Sequence, residues 1–302
     1  MQIYYLGPEG TFSHQAAETC AASWRAEQLT ACPTIVDAIT RMFDDKTGNS
    51  LACVPIENSI DGSVTQTWDT VMRSIAVERV EENLVPARIL SAFNFPIHQY
   101  LHYLEHTDFS AVETVYSHPK ALAQCQVNLG KRFPKAQLVS VNSTAEAARM
   151  VANANDKRCV AIASQQAGER FGLLRHPEPM EDQAGNVTRF AMIGRQEMPG
   201  IQSFAVVSER VVSLCLRGVG HQPGGLVGTL APIAEAGFNL TRVESRPVGN
   251  QFGIYVFYLD VTITANDERA ERAFNQVVEE LRQRQVDVVL LGAYPVYDAS
   301  GV

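Results

Sequence analysis

Two short runs hold the residue types best suited to chemistry. In Asn186-Val187-Thr188-Arg189-Phe190, a hydroxyl, a guanidinium and an aromatic ring follow a polar, glycine-containing loop and run into an apolar strand over residues 190–194. At the lip of a sheet, such a set suits a small anionic ligand. Glu244-Ser245-Arg246-Pro247 closes a strand in a differently patterned segment that reads as a small regulatory module. A catalytic lip and a sensor in one chain imply an enzyme under feedback control.

Three further runs could meet the same ligand. Gly7-Pro8-Glu9-Gly10-Thr11-Phe12-Ser13-His14 joins the first strand to the first helix. Ser13 is the expected N-cap, and the glycines let backbone N–H groups face a ligand, although the run serves equally as a plain turn. Val54-Pro55-Ile56-Glu57-Asn58-Ser59 follows a strand that Pro55 should end, leaving the next residues at the carboxyl end of the sheet. Asn58, Ser59 and Ser63 there offer donors near a helix N-terminus, which favours a carboxylate. Glu57 is either a general acid with a raised pKa or a brace for those donors; nothing shows it buried, so the brace is favoured. Asn142-Ser143-Thr144 reads as a helix cap, with Glu146 near the capping-box position, and a cap in a cleft can also bind an anion.

His98, His102 and His106 recur every four residues, and on a helix they would stack three imidazoles. A metal site lacks an obvious fourth ligand, and Tyr100, Leu101, Tyr103 and Leu104 look like packing, so packing is the preferred reading. No Ser/His/Asp triad, P-loop or G-x-G-x-x-G stands out, which leaves hydride and phosphoryl transfer without their usual supports.

The elements that must position these residues alternate through the first two-thirds of the chain. Strands are expected at 3–6, 51–54, 112–116, 138–141 and 159–163, with helices at 13–25, 34–44, 64–73, 120–129 and 144–152. That rhythm implies a mainly parallel sheet covered on both faces. Residues 75–93 read as a long extended crossing between two lobes. Beyond Gln196, Met198-Pro199-Gly200 punctuates the chain as a linker. Strands at 211–216, 240–245, 252–263 and 286–291 and helices at 226–235 and 267–284 then give the order βαββαβ, a ferredoxin-like split motif.

Composition narrows the partners. At 302 residues the chain is long for one domain, and 46% hydrophobic with 19% charged residues is ordinary globular composition. A formal net charge of -8 without a basic run argues against nucleic acid. The six scattered cysteines suit free thiols in a reducing compartment. The N-terminus enters a strand without a signal-peptide pattern, and no apolar run approaches membrane-spanning length, so a cytoplasmic protein with no membrane partner is expected.

The runs at 7–13, 54–59 with Gly62-Ser63-Val64, 143–145 and 186–190 have the order and spacing of prephenate dehydratase. The C-terminal segment resembles that family's ACT domain through Gly224-Gly225-Leu226-Val227, Asn239-Leu240 and Glu244-Ser245-Arg246-Pro247. The resemblance spans almost the whole chain. With no chorismate mutase-like segment ahead of Met1, it is to the monofunctional form. Two positions depart from the family pattern: Lys120 stands where Ser-His-Pro is usually followed by Gln, and Gly225 replaces an alanine, which is expected to loosen the loop.

The resemblance implies a two-lobed, periplasmic-binding-protein-like catalytic domain over 1–196, with lobe one at about 1–78 and 164–196 and lobe two at about 79–163. A linker over 197–209 and a ferredoxin-like ACT domain over 210–302 would follow. It implies conversion of prephenate to phenylpyruvate, water and carbon dioxide, with no cofactor. Thr188 would be central, with Glu57 and Asn58 beside it. Thr11, Phe12, Ser13, Ser59, Ser63, Ser143, Thr144, Arg189 and Phe190 would hold substrate, with Arg189 leaning to a bracing role. Phenylalanine would bind between two ACT domains of a homo-oligomer at Gly224, Gly225, Leu226, Asn239, Leu240, Glu244, Ser245 and Arg246. Arogenate dehydratase and a non-catalytic amino-acid sensor are the competing readings.

Overall fold

The computed structural model describes residues 1–78, 87–195, 209–220, 223–248, 253–264 and 267–299. The chain begins with β1 (Gln2–Leu6), α1 (Phe12–Ala21), β2 (Gln28–Cys32), α2 (Ile35–Asp44), β3 (Ser50–Asn58), β4 (Gly62–Ser63), α3 (Thr65–Glu78) and β5 (Arg88–Pro96). Next come β6 (Tyr100–Tyr103), β7 (Thr114–Ser117), α4 (Pro119–Gln124), α5 (Gln126–Arg132), β8 (Gln137–Ser140) and α6 (Thr144–Ala154). The chain continues with β9 (Cys159–Ala163), α7 (Gln165–Arg170), β10 (Leu174–Pro179) and β11 (Val187–Gly194). The last segment holds β12 (Glu209–Arg217), α8 (Gly225–Glu235), β13 (Asn239–Pro247), β14 (Tyr255–Thr264), α9 (Glu268–Gln283) and β15 (Asp287–Asp298).

Two lobes form, and each sheet is mixed rather than mainly parallel. In lobe one β1 lies parallel to β2 and β3, while β11 closes antiparallel between β3 and β5. In lobe two β7 is parallel to β8 and β9, and β6 is antiparallel to β9 and β10. The lobe limits that the resemblance implied therefore shift. β5 belongs to lobe one through β11, and β10 belongs to lobe two through β6. Antiparallel closure is a long-range pairing that local rhythm does not encode. Of the extended crossing expected over 75–93, residues 79–86 lie outside the described residues; α3 runs to Glu78 before them, and β5 begins a full sheet strand at Arg88 after them.

Pro55 does not end its strand. Phe190 is registered with Pro55 and Arg189 with Glu57, so Ile56 is an extra residue bulged out of the ladder. A bulge is where a strand tolerates a residue without an N–H. α3 clamps it: Thr67 Oγ1 donates to the Pro55 carbonyl at 2.6 Å and Trp68 Nε1 to the Ile56 carbonyl at 3.0 Å.

The last segment has strand order β13-β14-β12-β15, the ferredoxin-like arrangement. One face packs on α8 and α9 through Leu214, Ile233, Leu259, Phe274 and Leu281. The other joins the lobe-one core, where Cys215, Tyr258, Leu291 and Tyr294 meet Trp68 and Met72. β15 runs beyond the expected 286–291 and pairs parallel with β5 at its end, so the two sheets are continuous. Gly292 permits the approach, since a Cβ there would stand 2.4 Å from the Ile89 carbonyl oxygen. The Met198-Pro199-Gly200 linker lies outside the described residues, as does most of the turn beginning at Val248. The six cysteines are buried free thiols, and no helix among the described residues is long and apolar enough to cross a membrane.

Candidate active site

The sequence-selected runs converge on a cleft of about 380 Å³ between the lobes. It opens where the chain leaves β1 and β3 at their carboxyl ends, the side on which α/β sheets bind ligands. Thr11, Phe12, Ser13, Asn58, Ser143, Thr144, Thr188 and Phe190 all line it. A larger depression of about 970 Å³ lies at the opposite ends of these strands, among Gln2, Asp44 and Asn49, away from every residue singled out for chemistry.

At the centre, Asn58 Nδ2 lies 3.0 Å from Thr188 Oγ1. The same amide nitrogen donates to Asn186 Oδ1 at 2.7 Å, while Asn58 Oδ1 accepts the backbone N–H groups of Ile60 and Asp61 at 3.0 Å each. Those acceptor contacts fix the amide orientation. Thr188 Oγ1 is therefore an acceptor toward Asn58, and its own proton is left for a group in the cleft. Asn186 Nδ2 donates onward to Gln124 Oε1 at 3.1 Å, which carries the network into lobe two.

Two helices from opposite lobes aim their N-termini at the cleft. Thr11, rather than the expected Ser13, caps α1: its hydroxyl accepts from the His14 N–H and donates to the Pro8 carbonyl. Ser143 caps α6 by accepting from the Glu146 N–H, and the Glu146 carboxylate accepts from the Asn142 N–H. Unpaired N–H groups and helix dipoles at both sites favour negative charge. Lys120 and Asp61 are the only Lys, Arg, Asp or Glu residues lining the cleft among the described residues, and they meet across the lobes at 3.0 Å. Burial, together with the Lys120 cation, pushes the nearby His118 imidazole below its ordinary pKa.

Four expected substrate or catalytic residues do not line the cleft. Ser59 staples the preceding loop, accepting from the Val187 N–H at 2.9 Å. Glu57, Ser63 and Arg189 lie on the opposite face of the sheet. Register explains this, because paired residues share a face and alternate along the strand. Asn58 pairs with Thr188 and faces the cleft, whereas Glu57 pairs with Arg189 and turns away. Phe190 returns to the cleft side, stacked on Phe93 at 5.8 Å with Phe95 edge-on at 6.1 Å. Sequence reasoning missed Gln99 and Gln124. Gln99 is 4% exposed, and its Oε1 has no partner among the described residues.

The three histidines share no helix face. His98 precedes β6 and pairs with Glu181 at 2.8 Å, His102 is buried inside β6, and His106 sits exposed in a turn with φ 61°. Among the described residues no group of three or more His, Cys, Asp or Glu side chains could hold a metal.

In the regulatory module, Gly224, Gly225 and Leu226 line a groove of about 330 Å³ with Tyr255 and Phe257. Gly225 does not loosen this loop. A Cβ there would lie 2.2 Å from the Gly220 carbonyl oxygen, so glycine lets the two segments pack closely. Asn239 and Leu240 begin β13, outside the groove's lining, and Ser245 is exposed and also outside it. A bulge between Leu240 and Arg242 turns Arg242, Glu244 and Arg246 toward lobe one. Arg242 lies 3.7 Å over the Trp68 ring, and Glu244 pairs with Arg246 and, at 3.3 Å, with Arg242. Burial opposes the charge on Glu244, but Ser63, Arg246 and Arg242 outweigh it and hold the carboxyl below its ordinary pKa.

A cleft between two α/β lobes, lined by helix N-termini and an amide–hydroxyl pair and backed by a ferredoxin-like module, defines a periplasmic-binding-type enzyme fold with a regulatory domain. The chain belongs to the prephenate dehydratase family: that family's profile matches residues 3–198, and an ACT domain profile matches residues 216–279. A prephenate dehydratase of Lactococcus lactis subsp. cremoris is 34% identical over 303 aligned positions, covering 100% of both chains. The solved prephenate dehydratase of Arthrobacter aurescens in complex with L-Phe is 28% identical with a TM-score of 0.76, over 97% of this chain and 90% of that one. That of Staphylococcus aureus subsp. aureus Mu50 is 26% identical with a TM-score of 0.76, over 97% and 100%.

Proposed function

We propose that this chain converts prephenate to phenylpyruvate, carbon dioxide and water, with Thr188 assisting departure of the ring hydroxyl. The observation that supports this most is the Asn58–Thr188 contact in a cleft faced by two helix N-termini. Prephenate is a dianion with both carboxylates at the ring end opposite its hydroxyl. As the carboxylate on the ring leaves as CO2, its bonding electrons move through the diene and expel the hydroxyl, and one proton completes water. Aromatisation drives the step, so the protein's task is to hold and align.

The α1 and α6 N-termini, with Thr11, Ser13, Ser143 and Thr144, hold carboxylates from opposite lobes, so binding closes the cleft. Phe190 walls the ring and excludes water. A threonine hydroxyl is too weak an acid to surrender its proton outright. Thr188 instead donates a hydrogen bond that strengthens as charge develops on the leaving oxygen.

Phenylalanine, the pathway product, is the effector. Its carboxylate meets backbone N–H groups at Gly224, Gly225 and Leu226, and its ammonium meets Asn239 and Leu240 of a second copy, which a single chain does not bring to the groove. The protein is accordingly a homo-oligomer built through its ACT domains, acting in the cytoplasm. Incubation of the purified chain with prephenate or arogenate at neutral pH decides the reading. Growth of phenylpyruvate absorbance from prephenate supports it. Turnover of arogenate alone makes the chain an arogenate dehydratase, and turnover of neither leaves an amino-acid sensor.

A further inference from the structure

Strand register lines up five polar residues on the sheet face turned away from the cleft. Asp298 of β15 is registered with Asn94 of β5, Asn94 with Arg189 of β11, Arg189 with Glu57 of β3, and Glu57 with Ser63 of β4. The side chains are joined as well. Asn94 Nδ2 donates to Asp298 Oδ1 at 2.8 Å, and Arg189 Nε donates to Asn94 Oδ1 at 2.9 Å. Arg189 then reaches Glu57 Oε2 at 3.5 Å. The Ala299 N–H, donating to the Asn94 carbonyl at 2.9 Å, pins the same corner through the backbone.

Both ends of this row meet the regulatory module. Asp298 closes its final strand, and the Ser63 hydroxyl lies toward Glu244 of β13, though without a hydrogen bond of full geometry. The next residues along β11 and β3 are Thr188 and Asn58, the pair at the centre of the cleft. The module is thus tied to the back of the two strands whose front faces hold Thr188, the proposed hydrogen-bond donor to the leaving oxygen, and Asn58.

We propose that Asp298 is a positioning residue for the reaction. Through Asn94 it fixes the planar fork of Arg189, and Arg189 with Glu57 sets the spacing of β11 and β3 at the Thr188–Asn58 contact. The side chains of Arg189 and Glu57 are 30% and 37% exposed, so solvent screens the pair and its worth in stability is small. Its effect is geometric. A donor displaced by a fraction of an ångström loses far more rate than the fold loses stability.

This proposal relies on the prephenate reading for its assay, and a reciprocal exchange tests it in the full chain. Asn94→Asp sets two carboxylates face to face and removes the donor to Asp298. It should lower kcat about tenfold, the worth of one charge-assisted hydrogen bond, with KM within about twofold. Asn94→Asp combined with Asp298→Asn restores a donor–acceptor pair and should return kcat to within about threefold of wild type. Asp298→Ala, an exposed change that should fold normally, should lower kcat about three- to tenfold, with melting within about 3 °C of wild type. Hydrogen exchange over residues 187–190 supplies a readout independent of turnover: both single variants should speed it about tenfold and the exchanged pair should not. Wild-type-like kcat and exchange in both single variants, or an exchanged pair as slow as Asn94→Asp, would overturn the proposal. A wild-type chain that fails to convert prephenate would sink the functional reading instead, and the exchange data would then decide on Asp298 alone.

Discussion

Asn58 and Thr188 face each other across two antiparallel strands, with the Asn58 amide nitrogen 3.0 Å from the Thr188 hydroxyl oxygen. Because Asn58 Oδ1 is already occupied by two backbone N–H groups, the amide can only donate toward Thr188. The contact orders the hydroxyl so that its proton points away from Asn58. The chemistry proposed for Thr188 depends on that direction.

Asn58→Asp makes the dependence visible. The shape is kept, but a carboxylate accepts where the amide donated, so the Thr188 proton turns toward residue 58 and away from the leaving oxygen. We expect kcat to fall about 100-fold, as for loss of one transition-state donor, with little change in melting temperature. Steady-state kinetics beside a thermal melt checks this, and a variant within twofold of wild type would remove Asn58 from the orienting role.

His102 sets a pH limit on lobe two. Its ring is fully buried with no hydrogen-bond partner among the described residues, and burial lowers its pKa from 6.5 to about 4. Backbone groups of Ser164 and Ala163 oppose that shift in part, and nearby Arg175 and Glu169 make smaller contributions of opposite sign to each other. The unfolded chain therefore binds the extra proton first. This contribution is complete above about pH 6.5 and is lost as pH falls toward 4, up to about 3 kcal/mol. Urea midpoints for wild type and His102→Gln across that window should converge at low pH. Parallel curves would show that His102 does not titrate on unfolding.

Arg242 anchors the module to lobe one. It donates to Asp260 from two nitrogens, at 2.7 and 3.0 Å, while stacking on Trp68. Arg242→Met leaves the Asp260 carboxylate buried with Ser213 at 2.5 Å and without a cation. Removing one partner of such a pair should cost about 3–5 kcal/mol. Arg242→Lys should recover only part of this, since an ammonium neither forks nor stacks alike. Urea unfolding measures both, and a loss under about 1 kcal/mol for Arg242→Met would mean that the contact is relaxed in solution.

Much of this was legible in the residues. The βα rhythm and the βαββαβ order follow from local signals of periodicity, caps and turns, while the resemblance to prephenate dehydratase implied that residues 11–13, 58, 143–144, 188 and 190, which line one cleft, share a site. The residues placed differently from expectation share one physical origin. Glu57, Ser63 and Arg189 were expected at the ligand, but side-chain direction in a strand depends on register, and register here is set by a bulge at Ile56. Gln99 and Gln124 carry no local motif at all; only the meeting of the lobes brings them to the cleft. The same long-range pairing placed β5 in lobe one and set Glu244 between Arg242 and Arg246, outside the groove lined by a single chain.

Turnover of prephenate by Thr188→Ala, beside Thr188→Ser, tests the central claim most directly. With both variants folded as wild type, the alanine variant should lose about 100- to 1,000-fold in kcat, and the serine variant, which keeps a hydroxyl, should retain most of it. An alanine variant that turns over prephenate at close to the wild-type rate would contradict the assignment of Thr188.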